Sequence, residues 1–292
     1  MRHKTSSASL SSNSGSRRMS NPGFHPFGGR VSKHYIESSN GSHGYSPDDA
    51  YLSYYDVRLT RDDVDAIRGD WLTDNAIAFW QEYLERERLK AYPNANIVLL
   101  RPSMCYMLMC TEDPRSLKSA LPDFSKASHI FLPVNDSRNP AIAEAGSHWS
   151  LLLVSVIDGC AFHYDSMTPA NRQEAKLVTR KLSQLLGISF RFYDLTDTPQ
   201  QENGMDCGMY VCLIMSHLLF MKLLAADKEG VVNMRLGGKD VDAAAGRREM
   251  LRRIESFRRE GERRRSSSRS RSLLGSTKSR SPPRVGEENS DA

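Results

Sequence analysis

Residues 148–165 read His148-Trp149-Ser-Leu-Leu-Leu-Val-Ser-Val-Ile157-Asp158-Gly159-Cys160-Ala-Phe-His163-Tyr164-Asp165, and the fold follows from how they are read. The run up to Ile157 is too apolar and too β-branched for a surface segment, so a buried central strand is expected. Asp158-Gly159 signals a tight turn, and residues 161–165 then return as the second strand of an antiparallel hairpin. In such a hairpin the start of the first strand and the end of the second are neighbours. His148 and Asp165 therefore meet at one rim of the sheet. An aspartate beside a histidine fixes the imidazole tautomer and stabilises the imidazolium. His163 shares the face of Asp165 but lies inside the strand, where a packed or hydrogen-bonded histidine is expected.

Working outward, residues 130–134 read as a short strand. Thr73 is a suitable N-cap for a helix running to about Leu89, with Ile77, Trp80 and Leu84 at helical spacing. A helix is expected over 169–186, with Pro169 in its first turn and Gly187 just past its end. Residues 188–193 alternate as a strand, 207–224 form a strongly apolar helix, and 242–259 form a basic amphipathic one. The fold class is α+β: a central, mostly antiparallel sheet flanked by helices, the apolar one packed on the sheet.

Cys207 opens that apolar helix, after the turn-forming run Pro199-Gln-Gln-Glu-Asn-Gly-Met-Asp206. Unpaired N–H groups and the dipole at a helix N-terminus favour a thiolate, and a nearby imidazolium adds to the effect. Gln201, six residues earlier, could donate an amide N–H to a developing oxyanion beside the N–H of Cys207. Gly208 is expected to leave room for a substrate backbone. Alone, a cysteine starting an apolar helix or a histidine at a strand end is more often structural. Together they compose nucleophile, base, orienter and oxyanion donor. Cys105, Cys110, Cys160 and Cys212 sit in apolar company, and Cys105-x4-Cys110 lacks a second ligand pair at zinc spacing. No glycine-rich phosphate loop is present. Neither a metal nor a cofactor is expected.

Charge divides the 292 residues into three. Residues 1–44 carry a net +5, 45–258 a net −4, and 259–292 a net +4. Basicity belongs to the ends, which argues against a nucleic-acid-binding fold with Lys and Arg on its folded surface. Residues 1–44, rich in Ser, Gly and Asn, are expected to be disordered, and so is the Arg/Ser-rich segment 259–292, a plausible phosphorylation target. The longest apolar run, 211–226, is broken by His217 and Lys222 and is too short to span a bilayer. Residues 1–30 hold no signal-peptide core, and five cysteines read as reduced thiols. A soluble intracellular monomer is expected.

The same residues resemble a known family. His148-Trp149, His163-Tyr164-Asp165-Ser166 and Pro199-Gln-Gln-Glu-Asn-Gly-Met-Asp-Cys-Gly-Met-Tyr210 are similar to the Ulp/sentrin-specific cysteine proteases, which process ubiquitin-like modifiers. The order His…Asp…Cys and the Gln-x5-Cys-Gly spacing carry the resemblance, over roughly 50–258. It implies a papain-like fold with His148 as base, Asp165 as orienter, Gln201 as oxyanion donor and Cys207 as nucleophile. It also implies a channel between Trp71 and Trp149 for a Gly-Gly tail, with Asp74 and Asn135 in substrate binding. Tyr51-Leu-Ser-Tyr-Tyr-Asp56 and the long loop 135–147 resemble the deneddylase branch, which acts on the Nedd/Rub-type modifier and conjugates such as cullins in cytoplasm and nucleus. SUMO is the alternative modifier. Acyl transfer by the same triad, modifier binding without catalysis, and RNA association through the Arg/Ser tail are the competing classes.

Overall fold

The computed structural model describes residues 46, 48–138, 146–226, 232–269 and 281–286. The segment 1–44 expected to be disordered, the middle of loop 135–147 and much of the C-terminal tail lie outside the described residues. An antiparallel hairpin, β1 (Ala50–Tyr54) and β2 (Val57–Thr60), leads into α1 (Arg61–Gly69). A capping box starts α1, with Asp63 N–H donating to Thr60 Oγ1 while Thr60 N–H donates to the Asp63 carboxylate. Thr73 caps α2 (Asp74–Tyr83) as expected, its hydroxyl oxygen accepting from Ala76 N–H at 3.1 Å. The helical path continues through a π turn at Leu84–Arg88 and a 3₁₀ turn at Leu89–Ala91.

The main sheet has the order β3 (Ile97–Leu99), β4 (His129–Asn135), β5 (Trp149–Ser155), β6 (Cys160–Tyr164), β7 (Arg191–Asp194), with α3 (Pro102–Cys110) between β3 and β4. The hairpin β5–β6 is present, with Leu151 opposite Tyr164 and Ser155 opposite Cys160. β4–β5 is also antiparallel, but both outer pairs, β3–β4 and β6–β7, are parallel. The sheet is thus mixed, where a mostly antiparallel one was expected. α4 (Arg172–Leu186) carries the chain from β6 across to its parallel neighbour β7.

β5 is central, and both its faces are covered. Leu151, Leu153 and Phe131 pack with Ile77 of α2 and Ile214 of α5 (Cys207–His217). Leu152, Val154, Ile130 and Leu132 pack with Leu108 of α3 and Val178 and Leu182 of α4. A strand buried on both sides has no polar face, which is why β5 reads as an unbroken apolar run.

Several boundaries differ from the sequence reading. α4 starts at Arg172, not Pro169, because the turn before it is drawn around a carboxylate: Met167 and Asn171 N–H both donate to Asp165. β7 starts at Arg191, because Gly187 and Ile188 N–H still return to Ser183 O and close the end of α4. After His217 the apolar helix passes into a π turn at Leu218–Leu223.

The C-terminal boundary moves furthest. α6 (Ala243–Arg269) continues well past residue 259, where an unstructured tail was expected. Arg and Glu are good helix formers, and Glu260–Arg264 and Arg258–Glu262 pair at i,i+4 spacing along it. Residues 281–286 then return, and β8 (Arg284–Val285) adds parallel to β1. Ser53 and Tyr55 N–H donate to Pro283 O and Val285 O, both at 2.9 Å, and Val285 is buried.

Candidate active site

The hairpin brings His148 and Asp165 together at the rim of the main sheet. His148 Nε2 lies 2.6 Å from Asp165 Oδ1, and both side chains are buried, 4% and 1% exposed. Asp165 also accepts Met167 N–H on Oδ1 and Asn171 N–H on Oδ2, each at 2.9 Å. Burial pushes this carboxyl up, but His148 and the two amides outweigh it and hold it below the usual range. An ionised Asp165 holds Nε2–H toward the carboxylate, which leaves Nδ1 on the other side of the ring to exchange a proton with the thiol.

Nδ1 is buried and has no hydrogen-bond partner of ordinary geometry among the described residues. Cys207 is the group that acts on the ring from that side. Burial lowers the His148 pKa, whereas Asp165 and Cys207, through hydrogen bonding and charge, raise it; the partners prevail, at about 9. Cys207 itself is the first residue of α5 and only 1% exposed. The structure therefore joins the three residues that the sequence set 17 and 42 positions apart.

Two residues missed in the sequence hold this geometry. Asn171, fully buried, donates through Nδ2 to Val134 O at 3.1 Å and His148 O at 3.2 Å. Asn171 thereby ties β4 and the His148 backbone through its side chain and the Asp165 carboxylate through its backbone N–H. Asp136 accepts from the N–H groups of Ser147 at 2.6 Å and His148 at 3.1 Å, pinning the loop where it re-enters β5. An Asn or Asp near a turn is too common in sequence to single out either.

Gln201 sits on the loop before Cys207. Ser166 Oγ donates to its Oε1 at 2.7 Å, and its Nε2 donates to Asn203 O at 2.6 Å. The carbonyl side of the amide is thus fixed, and a second N–H remains on Nε2. Gly208 does not open space for a substrate backbone. A Cβ there would stand 2.8 Å from Leu72 Cβ and 3.5 Å from Trp149 Cδ1, so the glycine admits protein instead. Trp149 Nε1 donates to Leu72 O at 3.1 Å, which places Trp149 beside the segment carrying Trp71; both indoles are partly exposed. Asp74 is exposed at the start of α2, and Asn135, opposite Trp149 in the β4–β5 register, accepts Ser137 N–H.

His163 is the hydrogen-bonded core residue expected, between Asp194 and Ser150. Burial drives the Cys105 and Cys212 thiols far up. Cys110, expected in apolar company, is exposed at the end of α3, and Cys160 is half-buried.

A buried carboxylate, an imidazole and a cysteine at a helix N-terminus define the thiol-hydrolase class of site. Residues 70–245 match the Ulp1 protease family, C-terminal catalytic domain, and the chain belongs to that family. It is 39% identical over 212 residues to NEDD8-specific protease 2 of Schizosaccharomyces pombe, covering 71% of this chain and 50% of that protein. To NEDD8-specific protease 1 of Arabidopsis thaliana it is 36% identical, covering 57% of this chain and 74% of that protein. The chain spans about half or less of the two fission-yeast relatives it matches, 50% and 41%. Among solved structures, a mutant of Xanthomonas XopD shares the fold, with a TM-score of 0.50, 22% identity, and 63% of this chain and 99% of that chain covered.

Proposed function

We propose that this chain is a cysteine peptidase and isopeptidase that cleaves after the C-terminal Gly-Gly of a ubiquitin-like modifier of the NEDD8 type. The observation that carries the reading is His148, with one ring nitrogen on Asp165 and the other open toward Cys207. The Cys207 thiolate attacks the carbonyl carbon of the modifier's last glycine. The oxyanion is met by Cys207 N–H and by the remaining N–H of the Gln201 amide. His148 gives its proton to the leaving amine, the C–N bond breaks, and a thioester remains. Water, deprotonated by His148, then releases the modifier and restores the thiol.

The modifier class is supported by the relatives' names, several of which read NEDD8-specific protease. Trp71 and Trp149 are proposed to line the channel for the Gly-Gly tail, which only residues without a Cβ can thread. Asp74 and Asn135, near its mouth, are proposed to contact the modifier. Conjugates such as cullins, a monomeric state and action in cytoplasm and nucleus belong to the same proposal.

The test is covalent capture. The purified chain meets NEDD8, SUMO and ubiquitin, each bearing a C-terminal electrophile, with Cys207→Ala as control. Selective adduct formation by the NEDD8 probe at Cys207 is expected. Preference for SUMO overturns the modifier assignment and keeps the chemistry; a folded, reduced protein that takes none of the probes overturns both.

A further inference from the structure

Arg247 of α6 lies 40 residues beyond Cys207 in the chain, and it is 8% exposed. Its guanidinium spends its donors on four acceptors. Nε reaches Asp206 Oδ1 at 2.8 Å, Nη2 reaches Met205 O at 2.9 Å, and Nη1 reaches Ala66 O and Ile67 O at 3.0 and 3.1 Å. It therefore binds the loop immediately before Cys207 to the carbonyl end of α1, whose partial negative charge suits a cation.

Asp206 stands at the N-cap of α5, where an aspartate ordinarily accepts a backbone N–H from the first turn. Here it makes no side-chain cap. Arg247 holds Oδ1, and Asn203 Nδ2 holds Oδ2 at 2.7 Å. Both carboxylate oxygens are thus drawn off the helix end. A capping Asp206 would occupy first-turn amides that otherwise support the Cys207 sulfur, and an uncompensated one would set a negative charge beside it. His148, whose Nδ1 makes no hydrogen bond of ordinary geometry among the described residues, acts on the Cys207 thiol that starts the helix.

We propose that Arg247 is a positioning residue for the thiol chemistry of Cys207: it keeps Asp206 from capping α5 and neutralises it, leaving the first-turn amides to the thiolate. The proposal rests on Cys207 being the nucleophile. Among the described residues, the charged and titratable groups on the elements that meet there are His148 just before β5, Asp165 after β6, Glu202 and Asp206 on the preceding loop, and Arg247 from α6.

The experiment is the rate of Cys207 alkylation by iodoacetamide against pH, in the full chain without substrate, each cysteine being followed by mass spectrometry. With Arg247→Gln the profile should move to higher pH by about one unit, so labelling at pH 6.5 slows roughly tenfold. Arg247→Lys, which keeps the charge but not the planar fork, should move it less. Adding Asp206→Ala to Arg247→Gln should restore most of the rate, because the carboxylate that capped and repelled is gone. Turnover should follow through kcat with KM little changed. An unmoved profile in Arg247→Gln, or a double variant as slow as the single one, overturns the proposal, since a merely structural arginine gives no such rescue. If Arg247→Gln does not fold, Arg247→Lys with and without Asp206→Ala decides the matter by the same criterion. Failure of the wild-type chain to take any modifier probe would count against the proposed function, while the alkylation comparison still judges Arg247.

Discussion

His148 and His163 belong to the same hairpin, and each is bonded to an aspartate, at 2.6 Å to Asp165 and 2.9 Å to Asp194. Both rings are buried. They differ at the second nitrogen. His163 Nε2 lies 3.0 Å from Ser150 Oγ, so the ring is satisfied on both sides. His148 Nδ1 has no such partner among the described residues, and Cys207, which starts α5, acts on the ring. A histidine–aspartate pair is therefore not a site in itself. It becomes one where the fold stops bonding the ring and leaves a nitrogen for chemistry.

The largest effect should separate the two histidines. His148→Ala or Cys207→Ala should lower turnover by about 10⁴-fold or more, by analogy with other triads. His163→Ala should leave kcat of the folded protein within a few-fold, and loss of turnover there without loss of fold would break the comparison. Asp165→Asn comes next, with a fall of roughly 10²–10⁴-fold in kcat, because the imidazole loses its fixed tautomer. His163→Ala should instead show in stability, at about 1–3 kcal/mol read as a lower Tm, because Ser150 loses its partner and Asp194 keeps Arg172 but not the imidazole.

A subtler prediction concerns pH. His148 has a pKa raised from 6.5 to about 9, so its contribution to stability is fully present below pH 6.5 and lost as pH rises through about 9. Asp165 is lowered from 3.8, so its contribution is lost as pH falls through that depressed value. Melting temperatures between pH 6.5 and 9.5 should fall more steeply for wild type than for Asp165→Asn; equal slopes would contradict the pairing. The smallest effect should come from Ser150→Ala. It leaves His163 with an open nitrogen like that of His148, and it should cost about 1–2 kcal/mol while restoring no turnover to His148→Ala.

The rim of the site was legible because local rules specify it. A run without charged residues and an Asp-Gly turn are enough to place His148 beside Asp165, and a turn followed by an apolar helix places Cys207. The hairpin β1–β2 and α1 went unread although Thr60-x-x-Asp63 carries a capping signal, since a short strand among tyrosines has weak alternation. β3 has three residues and α3 is apolar on most sides, so neither shows a period. Arg247 and Asn171 could not be found from local pattern at all. Arg247 sits in a helix crowded with other arginines, and only the approach of α1 and the 205–206 loop separates it from solvated neighbours. The return of residues 281–286 depends in the same way on the free edge of β1, which no composition reveals.

The central claim is that His148, held by Asp165, makes Cys207 the reactive thiol of the molecule despite its burial. Its most direct test is competitive labelling with limiting iodoacetamide at pH 6.5, followed by mass mapping of Cys105, Cys110, Cys160, Cys207 and Cys212. Cys207 should react first, ahead of the exposed Cys110, and His148→Ala should abolish that preference. Earlier labelling of Cys110, or Cys207 labelling at the same rate in His148→Ala, would contradict the account.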